Sequence, residues 1–262
     1  MVLHDLLTVL SGVVVGFALG LIGGGGSILA VPLLLYVVGV SDPHVAIGTS
    51  ALAVAVSAFA NFAQHARAGN VKWPCALTFA GAGVVGAFIG STAGKLTNGQ
   101  HLLALFALVM IAVGVSMLVR RGPDGDPHVR LTPRIALKLA AIGFSAGMLS
   151  GFFGIGGGFL IVPGIMLGSG MPMIYAVGSS LFSVGVFGLS TAANYALSGL
   201  VDWRIAAIFI GGGIVGGFLG MRLAIRIASR RGALARIFAF VLFAVAAYML
   251  YRSVGPFLAA RA

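Results

Sequence analysis

Two glycine-rich turns are the parts of this sequence whose residue types and spacing could bind a small ion. The first is GGGGS at residues 23–27, and the second is GIGGG at residues 154–158. Each follows an apolar helix and precedes a shorter apolar run that reaches a proline, Pro32 or Pro163. A glycine turn that opens a helix directs several backbone N–H groups and the positive end of the helix dipole at one spot, which suits an anion. We therefore predict one anion site between the two turns.

Uncharged polar side chains in the helices that follow each turn are the next candidates. Neutral donors suit an anion that must be held and then released, and amides are costly against lipid, so they favour a cavity. The alternative is that these groups bond other helices or the carbonyls of their own helix. The predicted substrate-binding residues are Gly23, Gly24, Gly25, Gly26, Ser27, Thr49, Ser50, Asn61, Gly154, Gly156, Gly157, Gly158, Ser179, Ser180 and Asn194.

Other chemistry of glycine, histidine and cysteine is disfavoured by spacing. GGGGS lacks the Lys-Ser/Thr pair of a nucleotide phosphate loop, and the second turn lacks the last glycine of the dinucleotide pattern. We find no metal-binding histidine spacing and no nucleophile elbow. Cys75 is the only cysteine, which excludes an intramolecular disulfide. We expect no catalytic residue, no metal and no cofactor.

The composition places these residues in a lipid bilayer. The chain has 262 residues, of which 60% are hydrophobic and 8% charged, and its mean hydropathy is +1.11. A soluble domain of this size cannot bury so much apolar surface. The net charge of +11 is better explained by basic membrane loops than by nucleic-acid binding, because no soluble domain is left to carry that function.

Apolar runs predict a series of membrane helices. The run at 28–40, after the first turn, reaches only about 20 Å, so it is a re-entrant arm or its glycine end lies inside the membrane. A polar segment at 120–134, rich in proline, glycine and charge, joins the two halves. The long helices are predicted at 3–22, 44–66, 73–95, 101–119, 135–153, 173–197, 203–223 and 234–251, with short arms at 28–40 and 159–167.

The second half repeats the first. AIGTSAL at 46–52 matches AVGSSLF at 176–182, and GNVKW at 69–73 matches GLVDW at 199–203, both at the same offset along the chain. The sequence therefore predicts an N-terminal repeat at 1–120, a linker at 121–134 and a C-terminal repeat at 135–262. Glycines in the third helix of each repeat are expected to pack helices rather than bind substrate: Gly81, Gly83, Gly86, Gly90, Gly211, Gly213, Gly216 and Gly220.

Basic residues predict the orientation. Five elements in each half, an odd number, make the second repeat enter from the opposite side, as in many transporters. If the linker is cytoplasmic, both termini are outside, and the positive-inside rule is obeyed by twelve basic residues against four. The twelve are Arg67, Lys72, Arg120, Arg121, Arg130, Arg134, Lys138, Arg222, Arg226, Arg230, Arg231 and Arg236, and the four are Lys95, Arg204, Arg252 and Arg261.

Acidic residues are absent from the middle of every apolar run, and the chain has no glutamate. Coupling to protons would therefore need His44, His65, Asp42, Asp202 or the substrate's own proton. Passive movement is the simplest hypothesis, because an inside-negative potential favours outward anion movement by about 2.3 kcal/mol per charge per 100 mV.

The spacing G-x(3)-G-x(2)-GGGGS-x(4)-P, followed by AIGTSAL and GNVKW and then by GFFGIGGGFLIVP and GSSLFS, resembles the sulfite exporter TauE/SafE family over almost the whole chain. The resemblance implies an inner-membrane permease for sulfur-containing anions such as sulfite, sulfoacetate or other organosulfonates. Nothing in these residues selects one such anion.

Together, these observations predict an all-α polytopic membrane protein with two inverted-topology repeats of five helical elements each and broken or re-entrant glycine hairpins. The predicted function is export of a small sulfur-containing anion across the cell's inner membrane through a central site between the repeats. Its partners would be that anion, the bilayer and, in a homo-oligomer, further copies of the chain. Uptake of a related anion, a membrane enzyme and a non-transporting accessory protein are the alternatives.

Overall fold

The computed structural model describes residues 2–97, 105, 108–112, 114–115, 125–153, 158–227, 236, 240 and 243–247. Nearly all of them are helical, and this part of the chain contains no β-strand. Six helical stretches in it are long and apolar enough to cross a membrane. The prediction of an all-α polytopic membrane protein is thus confirmed.

The helices begin and end close to the predicted positions. The predicted helices at 101–119 and 234–251 lie largely outside the described residues. The described helices are α1 (Val2–Ile22), α2 (Ala30–Leu33), α3 (Pro43–Arg67), α4 (Trp73–Lys95), α5 (Pro133–Phe153), α6 (Gly158–Ser169), α7 (Met173–Ala196) and α8 (Trp203–Ile227).

Local sequence explains where the long helices begin. The carboxylate of Asp42 accepts the N–H of His44 at 2.7 Å, and Pro43 occupies the first turn of α3, where its missing N–H costs nothing. The carboxylate of Asp202 likewise accepts the N–H of Ile205 at 3.0 Å and caps α8.

The first glycine turn reverses the chain. Gly23 has a φ of 67°, a conformation that other residues rarely adopt. A 3-10 helix (Gly23–Leu29), α2 and a π-helix (Leu34–Val38) then run back along α1. A Cβ built on Gly26 would strike the backbone of Ala18 and Leu19. Seven residues of continuous helix would separate Gly26 from Leu19 by about 10 Å, so residues 3–38 form a hairpin rather than one span.

The second half makes the same return. Residues 154–157 lie outside the described part of the chain, and α6, which follows them, runs back along α5. A Cβ on Gly164 would meet Ile142, and one on Gly168 would meet Leu139, three residues earlier. The two helices are therefore antiparallel.

Two glycine seams join the halves. Along α1 and α8, Cβ atoms built on Gly12 and Gly16 would strike the backbones of Phe209 and Gly213 respectively. The residue numbers of the contacting pairs increase together along the two helices, so the helices are parallel. Their backbones approach this closely because glycine lacks a side chain.

The seam between α4 and α5 is equivalent. Cβ atoms on Gly143 and Gly147 would strike the backbones of Phe79 and Gly83, and all four residues are the repeat counterparts of those in the first seam. The predicted packing role is confirmed for Gly83, Gly86, Gly90, Gly213, Gly216 and Gly220 and is wrong for Gly81 and Gly211, which have nothing within 4 Å.

Helices α3 and α7, which correspond to each other in the repeat, cross in the middle of the described structure. The space beside Gly188 of α7 holds Ala51 and Ala55, and the space beside Gly185 holds the ring of Phe59. The residue numbers of the contacting pairs increase along α3 as they decrease along α7, so the two helices are antiparallel. Both helices are extensively buried between the two seams, and the polar residues of interest lie on them.

Candidate functional site

The first glycine turn touches Gly158, the last residue of the second glycine-rich segment. A Cβ built on Gly24 would lie 2.6 Å from the Cα of Gly158, and one built on Gly158 would strike the carbonyl of Gly24. Gly24 is buried, as are Gly23, Gly25, Gly26 and Ser27. The predicted ligands Gly154, Gly156 and Gly157 lie outside the described residues. Hence Gly24 and Gly158 from opposite halves lie together, as the predicted site requires.

The N–H of Gly24 already has a protein partner. It donates to the hydroxyl of Ser180 at 3.1 Å, and that hydroxyl donates to the carbonyl of Val177 at 2.8 Å. The first N–H groups of a helix have no partner within it, so they are the ones open to an outside acceptor. Here Ser180 from α7 takes the place in which an anion's oxygen could lie.

The hydroxyl of Ser27 closes the same turn. It donates to the carbonyl of Gly24 at 2.8 Å and is fully buried. Gly24 is therefore bonded at both its N–H and its carbonyl. The position of Ser27, in the middle of the 3-10 helix, explains why it bonds within the turn instead of reaching α7.

Thr49 and Ser179, which correspond to each other in the repeat, each bond a loop of the other half. The hydroxyl of Thr49 accepts the N–H of Asp202 at 2.9 Å, and the hydroxyl of Ser179 accepts the N–H of Lys72 at 3.0 Å. Lys72 and Asp202 correspond to each other in the repeat, as Thr49 and Ser179 do. Each hydroxyl thus connects the centre of one half to the start of the third long helix of the other. Sequence matching pairs these residues but does not identify their partners.

Ser50 and Asn61 bond carbonyls of their own helix. Ser50 donates to the carbonyl of Ile47 in its own helix at 2.9 Å. Asn61 donates to the carbonyl of Ser57 at 2.9 Å and faces the glycines of α8, because a Cβ on Gly217 would overlap its amide.

Asn194 belongs to a polar cluster between the ends of α4 and α7. It donates to Ser91 at 2.7 Å and to Thr92 at 2.9 Å, and its side-chain oxygen accepts from Lys95 Nζ at 2.7 Å. Lys95 also donates to Ser198 at 3.0 Å. The charge pattern of the sequence indicates only a loop charge at Lys95. The signal for its role is a single lysine at the end of an otherwise uncharged apolar helix.

Comparison with known proteins agrees with this architecture. The profile of a family described as sulfite exporter TauE/SafE matches residues 8–249. The chain belongs to the TauE/SafE family. A probable membrane transporter protein of Xylella fastidiosa strain 9a5c is 53% identical over 251 residues, which cover 95% of each chain.

More distant relatives of this TauE/SafE chain come from other organisms. The probable membrane transporter protein YunE of Bacillus subtilis is 29% identical over 82% of this chain and 86% of its own. A protein of Arabidopsis thaliana named sulfite exporter TauE/SafE family protein 5 is 39% identical over 80 residues, which are 30% of this chain and 18% of its own. No solved structure matches the chain. The chain is therefore a multi-pass membrane transporter of the TauE/SafE family.

The observed contacts define what this TauE/SafE transporter can do in the conformation described. Gly24 and Gly158 leave no room for an anion between their backbones, and Ser180 occupies the N–H of Gly24. Both contacts connect one half of the chain to the other.

Proposed function

We propose that this protein exports a small sulfur-containing anion, such as sulfite or an organosulfonate, from the cytoplasm across the inner membrane. The observation that carries the proposal is the contact between Gly24 and Gly158, supported by the hydrogen bond from Gly24 to Ser180. The buried first turn meets Gly158 of the other half at this point, and broken helices at such a junction are a recurring substrate site in transporters.

The anion would bind when the turns separate. Its oxygens would replace the hydroxyl of Ser180 as acceptors for the N–H of Gly24, and the freed Ser180 could donate to the anion. Uncharged donors bind an anion without the strong attraction of a lysine or arginine, so release on the other side remains fast. Thr49 and Ser179 would keep the neighbouring loops in place, since their hydroxyls already accept the N–H groups of Asp202 and Lys72.

The orientation belongs to the proposal. The antiparallel crossing of the corresponding helices α3 and α7 supports an inverted repeat. The distribution of arginine and lysine supports a cytoplasmic linker with both termini outside. An inside-negative potential would then favour export. We propose no chemical transformation of the anion.

The test is flux through purified protein in liposomes. Loaded sulfite or methanesulfonate should leave faster than from protein-free liposomes, and for the divalent sulfite ion an outside-positive potential set with potassium and valinomycin should accelerate exit. Gly24→Ala and Gly158→Ala should abolish flux, because each methyl group would strike the backbone of the other segment, and flux is compared for variants that still elute as a folded species. Gly211→Ala is the matched control, because nothing lies within 4 Å of that glycine.

Each part of the proposal has its own contradicting result. Absence of flux for every small sulfur anion would overturn the substrate class. Undiminished flux in both glycine variants would overturn the site. Uptake that is not matched by efflux under the reversed potential would show an importer instead.

A further inference from the structure

Three buried polar side chains form a stripe along α3. Ser57, Asn61 and His65 are spaced four residues apart, which places them above one another on one face of the helix. All three are fully buried. Their free atoms, Ser57 Oγ, Asn61 Oδ1 and His65 Nδ1, have no hydrogen-bond partner among the described residues. Buried polar atoms without partners are costly and rare, so the presence of three of them on one helix face needs an explanation.

The polar stripe faces the seam between α1 and α8. Ser57 fills the space beside Gly213, and Asn61 fills the space beside Gly217. His65 Nε2 lies 3.0 Å from the carbonyl of Gly20, three residues before the first glycine turn. A carbonyl can only accept, so Nε2 carries the hydrogen and Nδ1 of the neutral ring is a free proton acceptor.

The other half keeps the packing without a histidine. At the offset that relates the two repeats, Ser57, Asn61 and His65 correspond to Phe187, Thr191 and Tyr195. All three of those side chains also face the interior, and Phe187 stacks on Phe79 with ring centroids 6.3 Å apart. The fold of a half therefore needs no histidine at this position. The hydroxyls of Thr191 and Tyr195 are also buried without a recorded partner, so the polar stripe differs from its counterpart by its histidine, whose free nitrogen is a proton acceptor.

The charges near His65 are basic. Arg67 is the last residue of α3, and Lys72 lies in the loop between α3 and α4. Arg222 and Arg226 lie on α8, after Gly217. The acidic residues are far from His65, which lies near the end of α3. Asp5 is in the first turn of α1, and Asp202 and Asp42 directly precede α8 and α3. The other titratable groups of these elements are His4, His44 and Arg204, all near those distant ends. An anion bound at the glycine turns would bring a negative charge close to His65, which Coulomb attraction couples to a proton on its ring.

We propose that the polar stripe is a proton pathway and that His65 binds a proton when an anion occupies the glycine turns. This inference rests on the proposed transport function. Nδ1 takes the proton from water at the Arg67 end of α3, while Nε2 keeps its hydrogen bond to Gly20. Water hydrogen-bonded to Asn61 Oδ1 and Ser57 Oγ then carries the proton from Nδ1 over about 12 Å toward the middle of the helix, where it leaves with the anion on the outer side and Nδ1 is bare again.

The charge balance of this cycle is simple. One anion and one proton cross together, so a monovalent anion moves without net charge and a divalent anion moves one negative charge. The membrane potential would then drive only the divalent anion. Each binding event favours the other, as reciprocal linkage requires.

The test measures proton and anion flux in the same liposomes. Methanesulfonate is the substrate, because its acid is too strong to carry a proton through the lipid by itself, and a trapped pH-sensitive dye reports the protons. Wild-type protein should move protons together with the anion. His65→Gln keeps a donor toward Gly20 and should lower the ratio of protons to anions at least about tenfold. Tyr195→Phe, at the corresponding position of the other half, should leave that ratio unchanged.

Two results would overturn the pathway. One is wild-type anion flux without proton movement, and the other is an unchanged ratio in His65→Gln. A second measurement needs no transport: ¹⁵N NMR of histidine-labelled protein in lipid, with the signal of His65 identified by its loss in His65→Gln. Adding methanesulfonate or sulfite at about pH 7 should shift Nδ1 toward the protonated form.

The NMR measurement also separates the two proposals. If no sulfur anion is transported, the proposed function fails. Reversible protonation of Nδ1 between about pH 5 and about pH 8 would still support the proton site. A ring that keeps a bare Nδ1 over that range, with and without anion, would overturn it.

Discussion

The hydroxyl of Ser180 accepts the N–H of Gly24 at 3.1 Å and thereby fastens the first glycine turn to a helix of the other half. The same hydroxyl donates to the carbonyl of Val177 at 2.8 Å, so both of its roles are used. Gly24 in turn contacts Gly158. The conformation described is therefore one in which hydrogen bonding and backbone contact both keep the turns together.

Removing the hydroxyl of Ser180 should destabilise the contact between the first glycine turn and α7. Ser180→Ala leaves the buried N–H of Gly24 without its acceptor, and we expect a loss of about 1–3 kcal/mol in the free energy of unfolding. Anion flux should fall as well, because the proposed site loses a donor. Denaturation of purified protein in detergent, together with liposome flux, measures both effects.

The matched control for this change is Ser145→Ala. Ser145 also donates to a carbonyl of its own helix, that of Ala141 at 3.1 Å, but its side chain is exposed and accepts no recorded N–H. It should differ from wild type by less than about 0.5 kcal/mol. Equal stability loss in the two variants would contradict the assignment of Ser180 as the partner of Gly24.

The two loop contacts should have equal and independent effects. Thr49→Val removes the acceptor for the N–H of Asp202, and Ser179→Ala removes the acceptor for the N–H of Lys72. Each should cost about 1–3 kcal/mol, since each leaves a partly buried N–H unpaired. The contacts lie at opposite ends of the α3–α7 pair and share no partner, so the double variant should show the sum. Unfolding curves of the four proteins give the comparison, and a coupling above about 0.5 kcal/mol would contradict it.

Much of the fold follows from sequence because bilayer physics constrains it. A run of apolar residues in lipid must form a helix that satisfies its own backbone, so the described helices lie within a few residues of their predicted ends. The matching of Gly69 with Gly199 is also reflected in the structure, where the two residues have φ values of 73° and 71°. Repetition of sequence therefore implies repetition of local geometry.

The partners of the candidate residues could not be predicted. Thr49 and Ser179 resemble ligands because both follow a glycine turn, yet each bonds a loop of the other half. Which helix lies opposite a hydroxyl depends on how the two halves pack. A single sequence does not show which residues of the two halves come into contact. Gly81 and Gly211 show the same limit, because spacing alone does not tell a packed face from an open one.

Asn61 and Gly217 should behave as a size-matched pair. Gly217→Ala places a methyl group where the amide of Asn61 lies, and we expect a loss of about 1–3 kcal/mol from overpacking. The corresponding residues of the other half are Thr191 and Ala87, a smaller side chain with a larger partner. Asn61→Thr combined with Gly217→Ala should therefore recover most of the lost stability.

A double-mutant cycle tests this pair. The stability of wild type, both single variants and the double variant is measured in the same detergent, and the interaction energy should be favourable by at least about 0.5 kcal/mol. Gly211→Ala, on the same helix with open space beside it, serves as the control and should be nearly neutral. Additive losses in the double variant would contradict direct contact between Asn61 and Gly217.

The proposed inverted orientation predicts labelling from opposite sides of the membrane. Ala68 and Leu197 are exposed residues at the ends of the corresponding helices α3 and α7. In a Cys75→Ser background, Ala68→Cys should react with a membrane-impermeant thiol reagent only from the cytoplasmic side, and Leu197→Cys only from outside. Cys75 is the only cysteine of the chain, so the background has no thiol and should remain unlabelled. Intact cells and inside-out vesicles give the two accessibilities, and reaction of both cysteines from one side would contradict the inverted repeat.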